Sequence, residues 1–387
     1  MCKWIVLFAF LLVAPGAADA DVVIGVAGPM TGSLAEFGAQ IAAGAKQAVA
    51  DINAAGGIKG QSLRLEIGDD ACDPKQATAV AERMVADNVA LVVGHLCSGT
   101  AISASAVYSA ARVVNISPAV GASAFTDARP APGVFRLVGR DDVEGQLVGN
   151  MLANNRSSLE TAIVDDGTPE AKTRTDAALS TLSRLGQSIG LSISLTNGDQ
   201  DYSSVVSTLK SRNVDIVYFA GGAAEAGALV RGMKEQGLQA TLIGGETLAD
   251  PQFAISGGDA IVGTIMIAPP DPTRLPEAAG VVAKLRAEGI EPTAYAIDTY
   301  AAVQVWAKAA DAEDLDFDHV VQSLGTGTFA TVIGNISFDP KGNLKQSAVG
   351  FSIWAKDGQC GGCPKGGACP QKISSSCPCP KPGACPQ

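Results

Sequence analysis

The stretch "VVGHLCSGTAIS", residues 92–103, runs from a buried-strand pattern into the start of a small-residue helix within twelve positions. Val92 and Val93 are β-branched strand formers, and Ser98, Gly99 and Thr100 suit a helix start. Upstream, "SLRLEIGDDACDPKQA" (62–77) repeats the arrangement. Leu63, Leu65 and Ile67 alternate inward along a strand, then Asp73 caps a helix opened by Pro74. "DVVIGVAG" (21–28), "VALVVG" (89–94) and "RVVNISPA" (112–119) are further strands of the same series. Between the first two strands, Leu34, Phe37, Ile41, Ala45, Ala48 and Ile52 share one helical face, and Gly56 and Gly57 end that helix. Strand alternating with helix predicts a parallel sheet covered on both faces. Its C-terminal strand ends form one edge, where α/β proteins bind ligands.

After the polar "GRDDVEG" (139–145) the alternation resumes with "TAIVDD" (161–166), "LSISL" (191–195), "DIVYFAGG" (215–222), "TLIGGE" (241–246) and "IVGTIMIAPP" (261–270). A second mainly parallel sheet is expected there. Helical patterns over 277–288 and 293–310 are expected to return to the first lobe, and "NISFDP" (335–340) and "VGFSIWAKDG" (349–358) supply the last strands. The division is therefore lobe 1 over 21–139 plus 270–336 and lobe 2 over 140–269 plus 337–358. A chain crossing several times between two lobes makes a hinge and a cleft.

The 387 residues suit two lobes better than one core. A net charge of −11 without a basic run argues against a nucleic-acid partner. Lys3, the apolar "WIVLFAFLLVA" and "ADA" ending at Ala20 form an export signal, cleaved after Ala20, too short to span a membrane. The expected location is the periplasm. Of nine cysteines, Cys2 leaves with the signal, six crowd into 360–385, and Cys72 and Cys97 stand alone in the body. In the tail, 359–387, "CPKGGACPQ" (363–371) recurs as "CPKPGACPQ" (379–387). Internal disulfides, a metal site and an accessory segment are its three readings.

Cys97 has three readings of its own: a catalytic thiol, a metal ligand, or half of a disulfide that shapes a turn. His95 lies two residues away, but an activated thiol needs its base in reach and no disulfide partner, and Cys72 offers one. His95 and His319 are the chain's two histidines, and the sequence carries no Walker loop, nucleophile elbow or dinucleotide fingerprint. No enzyme, cofactor or metal site is expected. Ser98 caps its own helix or, with the bare amides of the helix start, receives an anion.

The segments "GPMTG…FGAQ…GAKQAVADINAAGGIKG", "DDACDPKQA", "VVGHLCS" and "SPA" resemble the leucine/isoleucine/valine-binding proteins, periplasmic receptors of amino-acid ABC importers. The resemblance runs over about residues 21–357 and leaves out the tail. It implies a two-lobed type I periplasmic-binding-protein fold, a monomer, a Cys72–Cys97 disulfide, and a membrane permease as partner. It implies further that a ligand carboxylate meets the Ser98 hydroxyl and the nearby backbone amides, with Leu96, Cys97, Val120 and Gly121 among the ligand-binding residues. The ligand ammonium would meet the Ala119 carbonyl and the Glu246 carboxylate, and Phe37 and Tyr295 match aromatic positions near the ligand. Three residues depart from the family pattern: Gly121 stands where relatives carry threonine, and Glu170 and Gly222 where they carry aromatic residues. Those departures open one alternative, a polar, cationic or aromatic ligand in the same fold; a second, a sensor that signals to a membrane partner, stays open because transport and sensing use the same closing lobes.

Overall fold

The computed structural model describes residues 21–360, apart from 155–158, 197, 199–200, 346–348 and 356–357, and leaves side chains at 358–360 undescribed. The signal and the cysteine-rich tail beyond Cys360 lie outside the described residues. The first lobe opens with β1 (Val22–Gly28), α1 (Ala35–Ala54), β2 (Leu63–Asp69), α2 (Pro74–Ala86), β3 (Leu91–Gly94), α3 (Ser98–Ala110), β4 (Val114–Ser117), α4 (Ala124–Asp127) and β5 (Val134–Arg136). These strands form one sheet, ordered β2-β1-β3-β4-β5, with every pairing parallel. The second lobe follows with α5 (Asp141–Asn154), β6 (Thr161–Asp165), α6 (Pro169–Arg184), β7 (Leu191–Ser194), α7 (Ser203–Ser211), β8 (Ile216–Ala220), α8 (Ala223–Glu235), β9 (Thr241–Gly244), α9 (Pro251–Gly257) and β10 (Ile265–Ala268). The chain then forms α10 (Ala279–Ala287), α11 (Ala294–Ala312), α12 (Phe317–Thr326) and the hairpin of β11 (Phe329–Thr331) and β12 (Gly334–Ile336). It ends on β13 (Gly350–Ala355) and β14 (Gly358–Cys360), which complete a sheet ordered β14-β13-β10-β9-β8-β6-β7. Only the β10–β13 and β13–β14 pairings in that sheet are antiparallel.

As the periodicity requires, Ile41, Ala45 and Ala48 of α1 are buried, packed with Ile297, Ala301 and Trp306 of α11 over the first sheet. Gly44 lets the two helices touch, since a Cβ there would lie 2.0 Å from the Ala296 carbonyl oxygen. Asp73 caps α2 by accepting from the Lys75 and Gln76 amides. Two expectations change. Ile67 is 39% exposed, because β2 is an edge strand whose far end has no neighbour to cover it. Residues 337–345, assigned from sequence to the second lobe, pack on the first: Phe338 stacks against Phe135, and the Gly342 carbonyl accepts from the Arg136 amide.

Candidate functional site

The first group of candidate residues lies where β3 hands over to α3. Cys72 and Cys97 are joined, their Cα atoms 5.6 Å apart, so Cys97 is a staple and not a free thiol. Cys97 is also the extended residue before α3, and no side chain caps that helix. Ser98 is therefore the first helical residue and does not cap its own helix. The first i→i−4 bond of α3 runs from the Ala101 amide to the Cys97 carbonyl. The amides of Ser98, Gly99 and Thr100 precede it and face outward at the positive end of the helix. Ser98 is half-buried beside them. Leu96 packs against the first-lobe core, and His95 is fully buried beneath the turn, where it cannot serve as a base for solvent chemistry.

The turn after β4 forms the second wall. The Ser117 hydroxyl accepts from the Ala119 and Val120 amides at 3.3 and 3.1 Å, which holds the backbone at Ala119. The Val120 carbonyl is taken by Arg136 at 2.8 Å. Gly121 lacks the hydroxyl that the family resemblance implies, and the space is occupied: a Cβ there would lie 2.5 Å from the Asp141 Oδ1. Phe37 and Tyr295 meet edge to face with ring centroids 5.3 Å apart, so α1 and α11 present one aromatic corner.

The second lobe presents acids. Glu246 follows β9 and opens a short 3-10 turn. Its carboxyl is raised above its usual range, chiefly by burial, with Arg174 opposing and Asp141 adding to the rise. The residue is nonetheless exposed, so the carboxyl is surrounded by protein groups while remaining open to solvent. In the first lobe, burial and then the charge of Glu246 raise the Tyr295 hydroxyl and the Asp298 carboxyl above their usual ranges. Arg174 projects from α6 to bridge Asp141 at 2.7 Å and Glu144 at 3.2 Å on α5. Burial, then Glu246 and Asp141, push the Glu144 carboxyl up to about 7, against the pull of Arg174. Glu170, in the first turn of α6, adds negative field at Asp141. Gly222, half-buried, donates its amide to Asp166 at 2.9 Å and leaves no side-chain wall.

Sequence reasoning missed Asp141, Glu144, Arg174 and Asp298. Asp141 and Glu144 sit three apart on one helical face, a legible pattern, but only the fold shows that this face meets α6. Among the described residues no group of three or more histidine, cysteine, aspartate or glutamate side chains is arranged to hold a metal ion.

Two lobes built of mainly parallel sheet and helix, one with an uncapped helix start and the other with a crowded carboxyl, have the architecture of a two-lobed solute-binding receptor. The chain belongs to the periplasmic binding protein family, which it matches over residues 21–359. It is 38% identical over 343 residues to the Leu/Ile/Val-binding protein homolog 1 of Brucella melitensis, covering 88% of this chain and 92% of that one. Among solved structures it is similar to the branched-chain amino acid transporter substrate-binding protein LivJ from Streptococcus pneumoniae in complex with isoleucine. There the TM-score is 0.72 at 22% identity, over 86% of this chain and 95% of the other. It is also similar to a solute-binding protein from Rhodopseudomonas palustris in complex with p-hydroxybenzoic acid. That match has a TM-score of 0.76 at 17% identity and covers 88% and 95% of the two chains. The family is one of solute receptors that act outside the cytoplasm, not a family of enzymes.

Proposed function

We propose that this chain is the solute receptor of an ABC importer, released outside the cytoplasmic membrane by cleavage after Ala20, and that it carries an amino acid to a membrane permease as a monomer. The ligand carboxylate sits on the Ser98 hydroxyl and the amides that open α3, with the Gly121 amide beside it. The ammonium group lies between the Ala119 carbonyl and the Glu246 carboxylate. The observation that carries this reading is Glu246, an acid crowded by protein in the wall opposite a helix start. A carboxylic acid alone, such as the p-hydroxybenzoate of the Rhodopseudomonas protein, gives that group no partner. A zwitterion pairs with both walls, and because the partners belong to different lobes, binding favours the closed form. Thermal-shift measurements with the twenty amino acids test this. At a ligand concentration 100 times Kd the stabilisation is about 2.7 kcal/mol. No shift with any amino acid refutes the amino-acid reading.

The wall around the ligand side chain favours a second reading of which amino acid binds. Glu170, Gly222, Arg174 and Glu144 stand near the place where an aliphatic side chain needs apolar cover. Each 40 Å² of apolar contact forgone costs about 1 kcal/mol. A polar or cationic side chain meets this wall better than leucine does, and the same screen ranks the two.

A further inference from the structure

The disulfide is not alone in joining the turns of the first lobe. Asp70, at the end of β2, has one carboxylate oxygen 2.9 Å from the Cys72 amide and the other 2.5 Å from His95 Nδ1. A carboxylate only accepts, so Nδ1 carries the proton. His95 Nε2 lies 3.2 Å from the Tyr108 hydroxyl in α3. The His95 carbonyl accepts from the Ser117 hydroxyl at 3.1 Å, and the same hydroxyl accepts from the amides of Ala119 and Val120. Asp70, His95 and Ser117 are all fully buried. Below them, the Asn115 side chain donates to the carbonyls of Val92 and Gly94 at 3.1 Å each.

We infer that His95 and Ser117 are positioning residues of the binding cleft, linking the Cys72 turn, the carboxylate-binding start of α3 and the ammonium-binding Ala119 turn through one buried hydrogen-bonded chain. This inference rests on the proposed amino-acid site for its affinity consequence, but the chain itself does not depend on the ligand. Two consequences follow. The Asp70–His95 link spans the same two turns as the disulfide, so it keeps them together when the sulfurs are separated. The Ser117 hydroxyl joins the His95 carbonyl directly to the Ala119 and Val120 amides, and no disulfide duplicates that link. In a buried site each such bond fixes a donor or acceptor that has no water to turn to.

The test compares Ser117→Ala with the native protein, oxidised and after reduction by dithiothreitol, with the state of Cys72 and Cys97 read by alkylation and mass spectrometry. Affinity for the best amino acid of the screen is measured by calorimetry, and amide exchange of the unliganded protein by NMR. Ser117→Ala is expected to weaken binding about tenfold. It is also expected to speed exchange at Ala119 and Val120 while leaving β8 in the other lobe unchanged, a local signature that general destabilisation does not give. Reduction is expected to leave affinity within about threefold of the oxidised protein. If Ser117→Ala folds poorly, Ser117→Gly, which removes the same hydroxyl, is read the same way. Native exchange at 119–120 in these variants overturns the inference, as does a reduced protein that loses binding as fully as Ser117→Ala. The exchange measurement needs no ligand, so a blank amino-acid screen refutes the proposed function without touching this result.

Discussion

Glu246→Gln separates the cost of holding a carboxyl in the empty cleft from its use when the ligand arrives. The substitution keeps the side chain's shape and one acceptor oxygen but removes the charge. A hydrogen bond to a charged group contributes about 1.5–3 kcal/mol and a neutral one about 1, so the ammonium loses about 0.5–2 kcal/mol of attraction. That corresponds to about 2- to 30-fold in Kd. In the absence of ligand the sign reverses. Burial is the largest cause raising the Glu246 carboxyl, Asp141 raises it further and only Arg174 opposes them. A neutral amide escapes that penalty, so the unliganded variant should melt above the native protein at pH 7. Differential scanning calorimetry with and without the preferred amino acid reads both effects. A second ligand, the same molecule lacking its amine, closes the comparison: it should bind the native protein weakly and the variant no worse. Equal loss for both ligands, or undiminished affinity for the amino acid, refutes the placement of the ammonium beside Glu246.

Ser98→Ala should weaken binding by about 1 kcal/mol, roughly fivefold by calorimetry. Its melting temperature should not change, because no helix cap is lost. The Glu144 carboxyl is raised from 4.5 to about 7, so between those values the native state holds a proton that the unfolded chain releases. Its contribution is therefore most favourable below about pH 4.5 and is lost as pH rises toward 7. Chemical denaturation of the unliganded protein should show that fall, and Glu144→Gln should remove this part of it.

Much of the first lobe was legible because its signals are local. Asp73 and Pro74 opened α2 as their chemistry dictates, and the period of α1 named its buried face. The return of α11 to the first sheet followed from its having no partner sheet of its own nearby in the sequence, and Trp306 and Ile297 lie in that core. Ile67 misled because alternation shows which side a residue faces but not whether an edge strand is covered there. The 337–345 segment misled for a related reason. Its strand pattern is short, and Phe338 chooses its lobe by stacking on Phe135, a contact between residues 203 apart.

The candidate site divides along the same line. The helix start at Ser98 and the disulfide before it could be placed from turn chemistry and resemblance. Residues that act through charge at a distance could not. Arg174 reads in sequence as an ordinary helix-surface arginine, since nothing in "AKTRTDAAL" shows that α5 covers it. In the fold, Gly145 brings the helices close enough that a Cβ there would lie 2.1 Å from the Arg174 carbonyl oxygen, and this contact carries the guanidinium onto Asp141 and Glu144. The Asp141 carboxylate in turn takes the space beside Gly121. The missing threonine hydroxyl and the charged wall are therefore one feature and not two: the α5–α6 packing that inserts Arg174 also sets the acid against Gly121. A ligand that fits this cleft must suit both consequences together, which is why the scaffold is easier to read from the sequence than the side chain it selects.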